Sequence, residues 1–175
     1  GDDPSGEFVG DAQGFSNIES PDTFKLYQAW YQQKMADDKL SILFGLFDLN
    51  SEFDAIETAG LFSSSSHGIG PDFSQSGENG PSIFPATSVS LRAAYNITEQ
   101  VYAQAVVMDG VPGDPANEKG THIRFKSTDG LLTAVQVGIA SVEDKPYYHA
   151  AIGTWGYSKA VAGTDKKNQG AYIFA

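Results

Sequence analysis

The rhythm of its connections most constrains what this chain can fold into. Seven segments have strand character, at 24–33, 40–48, 88–97, 101–108, 131–141, 147–157 and from 171 onward. Between them lie a tight polar turn at 36–39, a long loop at 49–86 and a tight turn at 96–100. A long loop at 109–130, a tight turn at 142–146 and a moderately long loop at 158–169 complete the series. Short and long connections strictly alternate. A soluble sandwich has no reason to sort its connections in this way. A barrel that crosses a membrane does, because one rim carries short turns and the other long loops.

The strands themselves alternate with period two. In 88–97, Val89, Leu91, Ala93, Tyr95 and Ile97 share one face, and Ser88, Ser90, Arg92, Ala94 and Asn96 the other. In 131–141, Leu131, Val135, Val137 and Ile139 oppose Ala134, Gln136 and Gly138. In 40–48, Leu40, Ile42, Phe44 and Leu46 oppose Ser41 and Gly45. The alternation is weaker in 101–108 and 147–157, and the facing of the aromatic-rich segment 24–33 is ambiguous. A membrane-spanning helix needs about 20 apolar residues, whereas a spanning strand needs only about 9–11. The longest nearly apolar stretch, Leu40 to Phe47, suits only the strand.

Composition removes several classes of function. The chain has no cysteine, which excludes disulfides, thiolate nucleophiles and Cys-ligated metals. Its 11 basic and 22 acidic residues give a formal charge of −11, so a phosphate backbone is repelled and nucleic acid is not an expected partner. The same acidity also serves solubility, or loops that face outside. Gly1-Asp2-Asp3-Pro4 has no secretory-leader character, and the segment from Gly170 to Ala175 stops within a strand. Both ends therefore read as interrupted. Seven strands cannot close a single-chain barrel of this kind, so missing chain, or other copies, is expected to complete the sheet.

Loops of the length of 49–86 are rare in compact domains and usually functional. A flexible linker is the plain alternative, but aromatic and charged residues are spread throughout this one. It runs Phe47-Asp48-Leu49-Asn50-Ser51-Glu52-Phe53-Asp54, then Glu57-Thr58-Ala59-Gly60-Leu61-Phe62 and Ser65-Ser66-His67-Gly68-Ile69-Gly70-Pro71-Asp72-Phe73-Ser74-Gln75-Ser76-Gly77. Asn79-Gly80-Pro81-Ser82-Ile83-Phe84-Pro85 follows. Residues 10–19 have the same flavour, as do 108–115 and 120–124. Over nearly the whole chain these words resemble the carbohydrate-selective porins of Gram-negative bacteria, the OprB family. The resemblance implies a sixteen-stranded transmembrane antiparallel β-barrel in the outer membrane, with long extracellular loops folded inward to narrow a channel for monosaccharides such as glucose. It implies that this chain supplies about seven strands from the middle of a protein more than twice its length. No cofactor is expected. The expected partners are monosaccharides, outer-membrane lipid and the remaining strands, with a homotrimer expected only by analogy to porins generally.

A sugar is hydroxyl-rich at its edges and weakly apolar on its faces, so its channel needs donors, acceptors and aromatic surface at a constriction. Arg92 stands on the polar, lumen-side face of the cleanest strand, where its fork of donors suits vicinal hydroxyls or a partner acid. Pairing with a loop acid alone is the plainer role. Glu52, Asp54, Glu57 and Asp72 are candidate acceptors, although each has the alternative of a solvated loop charge. Phe53, Phe62, Phe73 and Phe84 hold the loop folded inside or line the path; holding is the plainer role, and Phe73 is the candidate among them for lining. Arg124, with His122 and Lys126, forms a small basic face that points into the mouth or simply to water.

His67 beside Ser63 to Ser66 lacks the strand–turn–helix setting of a nucleophile and its base. Three histidines without ligand spacing make no zinc site. Asn96-Ile97-Thr98 is turn chemistry rather than a glycan acceptor. Tyrosines and tryptophans, among them Trp30, Tyr95, Tyr102, Trp155 and Tyr157, gather near strand ends, as aromatic girdles do. Two other readings stand beside the porin. A soluble carbohydrate-binding β-sandwich would pack the Val89, Leu91, Ala93 and Tyr95 face on a second sheet. A glycoside hydrolase would need a flanking carboxylate pair.

Overall fold

Seven strands hydrogen-bond in chain order into one antiparallel sheet in the computed structural model, which describes residues 22–61, 68–142, 147–160 and 165–175. They are β1 (Ala29–Met35), β2 (Leu40–Phe47), β3 (Ser88–Asn96), β4 (Val101–Asp109), β5 (Leu131–Ala140), β6 (His149–Ala160) and β7 (Lys167–Phe174). Each strand pairs only with its sequence neighbours, so β1 and β7 are the two edges of an open sheet. His67, Phe62, the serine run 63–66, residues 10–19 and most of the turn 142–146 lie outside the described residues.

Three expectations need correcting. The segment 24–33 does not enter the sheet at its start. Residues 23–26 instead bond across to the 109–130 loop, with Leu26 N donating to Thr121 Oγ1 at 2.6 Å and Gly120 N to Thr23 Oγ1 at 2.7 Å. The connection expected at 158–169 shrinks to 161–166, because β6 continues to Ala160 and β7 begins at Lys167. In β2 the alternation breaks at Gly45, whose φ of 139° is closed to most side chains. A Cβ there would stand 2.6 Å from the Trp30 Cα. Beyond this break Leu46 and Phe47 are both buried, although Leu46 was expected on the face of Phe44.

The pairing register sorts side chains into rows. One face carries the row Met35, Leu40, Tyr95, Ala103, Val137, Ile152 and Ile173. Beside it run Phe44 with Leu91, and Ala93 with Ala105 and Val135. This face is apolar, yet Phe44, Leu91, Val135, Ile152 and Ile173 are exposed. The other face is buried and mixes polar Ser90, Arg92, Gln104 and Gln136 with apolar Leu43, Val106, Met108 and Leu132. The exposed face is thus the more uniformly apolar of the two, and a water-soluble protein would cover it.

What covers this second face is the 49–86 loop. Its Leu49, Phe53 and Phe73 have no exposed surface and join Leu43, Val106, Met108, Leu132, Trp155 and Tyr157 in one core. Burying each such side chain stabilises the packed loop by about 1.5–3 kcal/mol. A short helix α1 (Pro71–Ser74) presents Phe73 to the sheet. Inward aromatic rings fill space left by glycines directly opposite: Tyr102 over Gly138, Tyr172 over Gly153 and Trp155 over Gly170. Omitting the glycine Cβ is what lets these rings lie flat along the sheet.

Candidate functional site

The site begins where the loop leaves β2. Asp48 caps the 3-10 turn Leu49–Ser51 by accepting from Asn50 N at 2.8 Å, and Tyr27 donates its hydroxyl to the same carboxylate. The turn sends Glu52 across the middle of the inner face. There Arg92 Nη2 donates to Glu52 Oε1 at 2.6 Å, while Arg92 Nη1 donates to Ser41 Oγ at 2.7 Å. Arg92 Nε is buried with no hydrogen-bond partner among the described residues. The guanidinium is almost wholly covered, whereas the Glu52 side chain remains 31 % exposed.

The loop backbone is fixed at the same place by two glutamines that were not singled out as site residues. Gln104 Nε2 donates to the Glu52 carbonyl at 2.8 Å. Gln136, fully buried, uses all of its amide. Its Nε2 donates to Tyr102 Oη at 2.8 Å and to the Glu52 carbonyl at 3.4 Å. Its Oε1 accepts from Tyr172 Oη at 2.7 Å and from Asp54 N at 3.2 Å. Tyr102 continues the chain to His149 Nε2 at 2.7 Å. Period two places Gln136 on the inner face, but its partners lie up to 84 residues away in sequence and leave no local signal.

Asp54 sits at a positive φ of 50° and is buried. Its Oδ2 accepts from Gly70 N at 2.7 Å and so closes the loop upon itself. Burial pushes its carboxyl above the ordinary Asp range. The Gly70 amide pulls it back, and nearby Asp72 pushes it further up. Asp72 itself is exposed on α1. Glu57 is exposed in the 3-10 turn Glu57–Leu61, next to the Tyr147 hydroxyl. Phe73 has no surface for solute; it stacks on Trp155, so it anchors the loop instead of lining a path. Arg124 pairs with Asp114 inside the 109–130 loop and takes no part in the Arg92 cluster. Of the expected residues, then, Arg92, Glu52 and Asp54 come together with Asp72 beside Asp54, and Glu57, Phe73 and Arg124 take no part in those contacts.

At the loop rim, Tyr27, Asp48, Asn50, Asn79, Phe84 and Thr121 border an open cleft of about 620 Å³. Burial raises the Asp48 carboxyl, against the hydrogen bonds it receives from Tyr27, Asn50 and Ser51. The arrangement offers hydroxyl-binding groups on a polar surface walled by a loop. The described residues contain no group of three or more side chains able to hold a metal ion.

No curated protein matches the chain. Among solved structures, the high-pH structure of Pseudomonas putida OprB superposes with a TM-score of 0.64 at 18 % identity, over 84 % of this chain. At that identity the likeness shows a shared fold, which for OprB is a β-barrel, and seven strands in one open sheet fit a part of it. The chain spans 34 % of the length of that structure. Residues 1–171 match the family described as carbohydrate-selective porin, OprB family. An exposed apolar sheet face, a loop packed on the opposite face and this match together place the chain in the OprB family of carbohydrate-selective porins.

Proposed function

We propose that this chain is a section of an outer-membrane barrel through which monosaccharides such as glucose diffuse passively. The observation that carries the reading is the exposed apolar face. Ile152 is 58 % and Ile173 79 % exposed on the side of the sheet away from the packed loop. A largely apolar exposed face of this extent is foreign to soluble monomers and normal against lipid tails. Among the described residues no second sheet covers it, which is what a soluble sugar-binding sandwich requires. The β1 and β7 edges would pair with the remaining strands of the barrel, since open edges are not tolerated in lipid.

In this reading the 49–86 loop lies in the lumen and narrows it. Solute passes over its outer surface, where Glu52 and Glu57 accept hydrogen bonds from hydroxyls. Arg92 holds Glu52 in place from beneath, and Gln104 and Gln136 fix the loop backbone. Weak, multiple contacts are what a diffusion channel needs, because a solute held tightly would not leave. The OprB family consists of channels rather than enzymes, and no bond need be made or broken. The test is planar-bilayer recording of the natural porin with and without glucose. Steady channels whose current glucose partly blocks are expected. Folded, inserted protein that forms no channel would return the chain to the sugar-binding sandwich.

A further inference from the structure

The 109–130 loop turns outward the side chains that a loop in water would cover. His122 and Arg124 are half-buried, while Ile123 and Phe125 between and beside them are 54 % and 72 % exposed. The inward pair is satisfied, Arg124 by Asp114 and the His122 ring by the Lys119 carbonyl at 2.8 Å. The segment bonded to this loop repeats the pattern, with Phe24 and Leu26 exposed and Lys25 and Tyr27 half-buried. Ile123 and Phe125 border one small cavity with Val89, which shares the outward apolar face of β3 with Leu91. They therefore extend that face past the end of the strand, at the rim that carries the long loops. Since β3 lies two strands in from the nearer edge, strands pairing with β1 would not cover them. The charge here is equally local. Residues 119–126 carry Lys119, Arg124 and Lys126 and neither Asp nor Glu, in a chain whose formal charge is −11. Lys119 and Lys126 are exposed, and among the described residues no carboxylate pairs with Lys126.

We infer that residues 119–126 dock a phosphate-bearing lipid of the outer leaflet, with Ile123 and Phe125 in the acyl boundary and Lys119 and Lys126 on the headgroup. The inference rests on the porin reading, which turns the long-loop rim towards that leaflet. Apolar side chains flanked by cations gain burial and charge attraction together at an anionic membrane surface. A neutral sugar would make no use of the two ammonium groups, each of which binds phosphate as a point charge. Water alone would leave Phe125 uncovered. Arg124, held by Asp114, keeps the segment in place rather than supplying free charge.

The experiment uses the natural porin in detergent, incubated with lipid A or with lipid A stripped of its phosphates. Native mass spectrometry reads the lipid retained. The natural protein should hold lipid A several-fold better than the stripped form. Lys119→Gln with Lys126→Gln should remove that preference, and Phe125→Ser should lower retention of both lipids. Lys34→Gln with Lys39→Gln, near the short turn at the opposite end of the sheet, should change neither. Equal retention of the two lipids by the natural protein, or a preference unchanged in the lysine variant, would overturn the inference. So would a Phe125→Ser protein that loses an oligomer and keeps its lipid, since the patch would then join copies of the chain. If Phe125→Ser does not fold, the exposed lysines decide alone. Lipid A held by a protein that passes no glucose would count against the porin reading, whereas a glucose channel without lipid preference would count against this inference.

Discussion

Phe73 of the long loop lies flat on Trp155 of β6, their ring centroids 4.7 Å apart and their planes 3° from parallel. Tyr172 of β7 stacks on the same phenyl ring from 6.1 Å. The four-residue helix that carries Phe73 is too short to persist alone, so the stacked rings, not helix propensity, keep this arm of the loop against the sheet.

Phe73→Ala should therefore release the returning arm of the loop. Truncating a fully buried phenylalanine costs about 3–5 kcal/mol, part of it lost with the stacked pair. The barrel strands keep their own hydrogen bonds. Single-channel conductance should rise and the glucose block should weaken, while heat-resistant β-structure by circular dichroism persists. Unchanged conductance would mean that the loop is held chiefly by Gln104 and Gln136.

The strand framework was legible because one rule governs it. Period two put Arg92 on the face opposite Leu91 and Tyr95, and the structure keeps that division, with Arg92 buried and the apolar pair exposed. The rule failed where something outside the strand decided. Gly45 takes its positive φ because the β1 backbone passes against it, and that displaces Leu46. The segment 24–28 has strand-forming aromatics, but its Leu26 bonds to Thr121 of the 109–130 loop, nearly a hundred positions away. Glu52 and Asp54 were identifiable as acids in an unusual loop. That one would pair with Arg92 and the other fold inward onto Gly70 follows from tertiary packing, which no local pattern encodes.

The glycine opposite Tyr172 gives a sharper test of packing. A Cβ on Gly153 would lie 2.2 Å from Tyr172 Cζ, so the ring must move. Moving it breaks the hydrogen bond from Tyr172 Oη to Gln136 Oε1. Gly153→Ala should cost about 1–3 kcal/mol, as overpacking of a close-packed interior does. The urea midpoint of unfolding in detergent would show it. Tyr172→Ala in the same chain should recover part of the loss, because the clash disappears with the ring. No recovery would show that Gly153 is needed for its backbone rather than for the ring.

Docking of the loop should tighten on mild acidification. Burial raises the Asp54 carboxyl above its value in a released, solvated loop. The docked form consequently binds the proton more strongly, and the stabilisation from Asp54 is complete below the released-state pKa. It is lost as pH rises through the docked-state value. Hydrogen exchange of the peptide covering 49–61 should thus be better protected at pH 5 than at pH 7, after correction for the intrinsic rate. In Asp54→Asn, whose amide cannot titrate, the difference should vanish. A variant that keeps the full pH response would assign it to another carboxyl, Asp48 first among them.

The outward face offers the test that separates lipid from water as its solvent. Ile152 lies near the start of β6, next to Val137 and Ile173 in the apolar row, and is 58 % exposed. In water, Ile152→Arg would replace an exposed apolar side chain with a hydrated one and change stability by no more than about 0.5 kcal/mol. Against hydrocarbon the same change costs about 2–4 kcal/mol at mid-depth and less near either interface. Gln136→Arg is unsuitable as a comparison, because it would break the inner hydrogen bonds on its own account. Thr154→Arg, two residues along the same outer face, is the better one. Unfolding in lipid vesicles should show both arginines destabilising, with the difference between them reporting depth. Two neutral results would mean that this face meets water, and the membrane reading would fall with them.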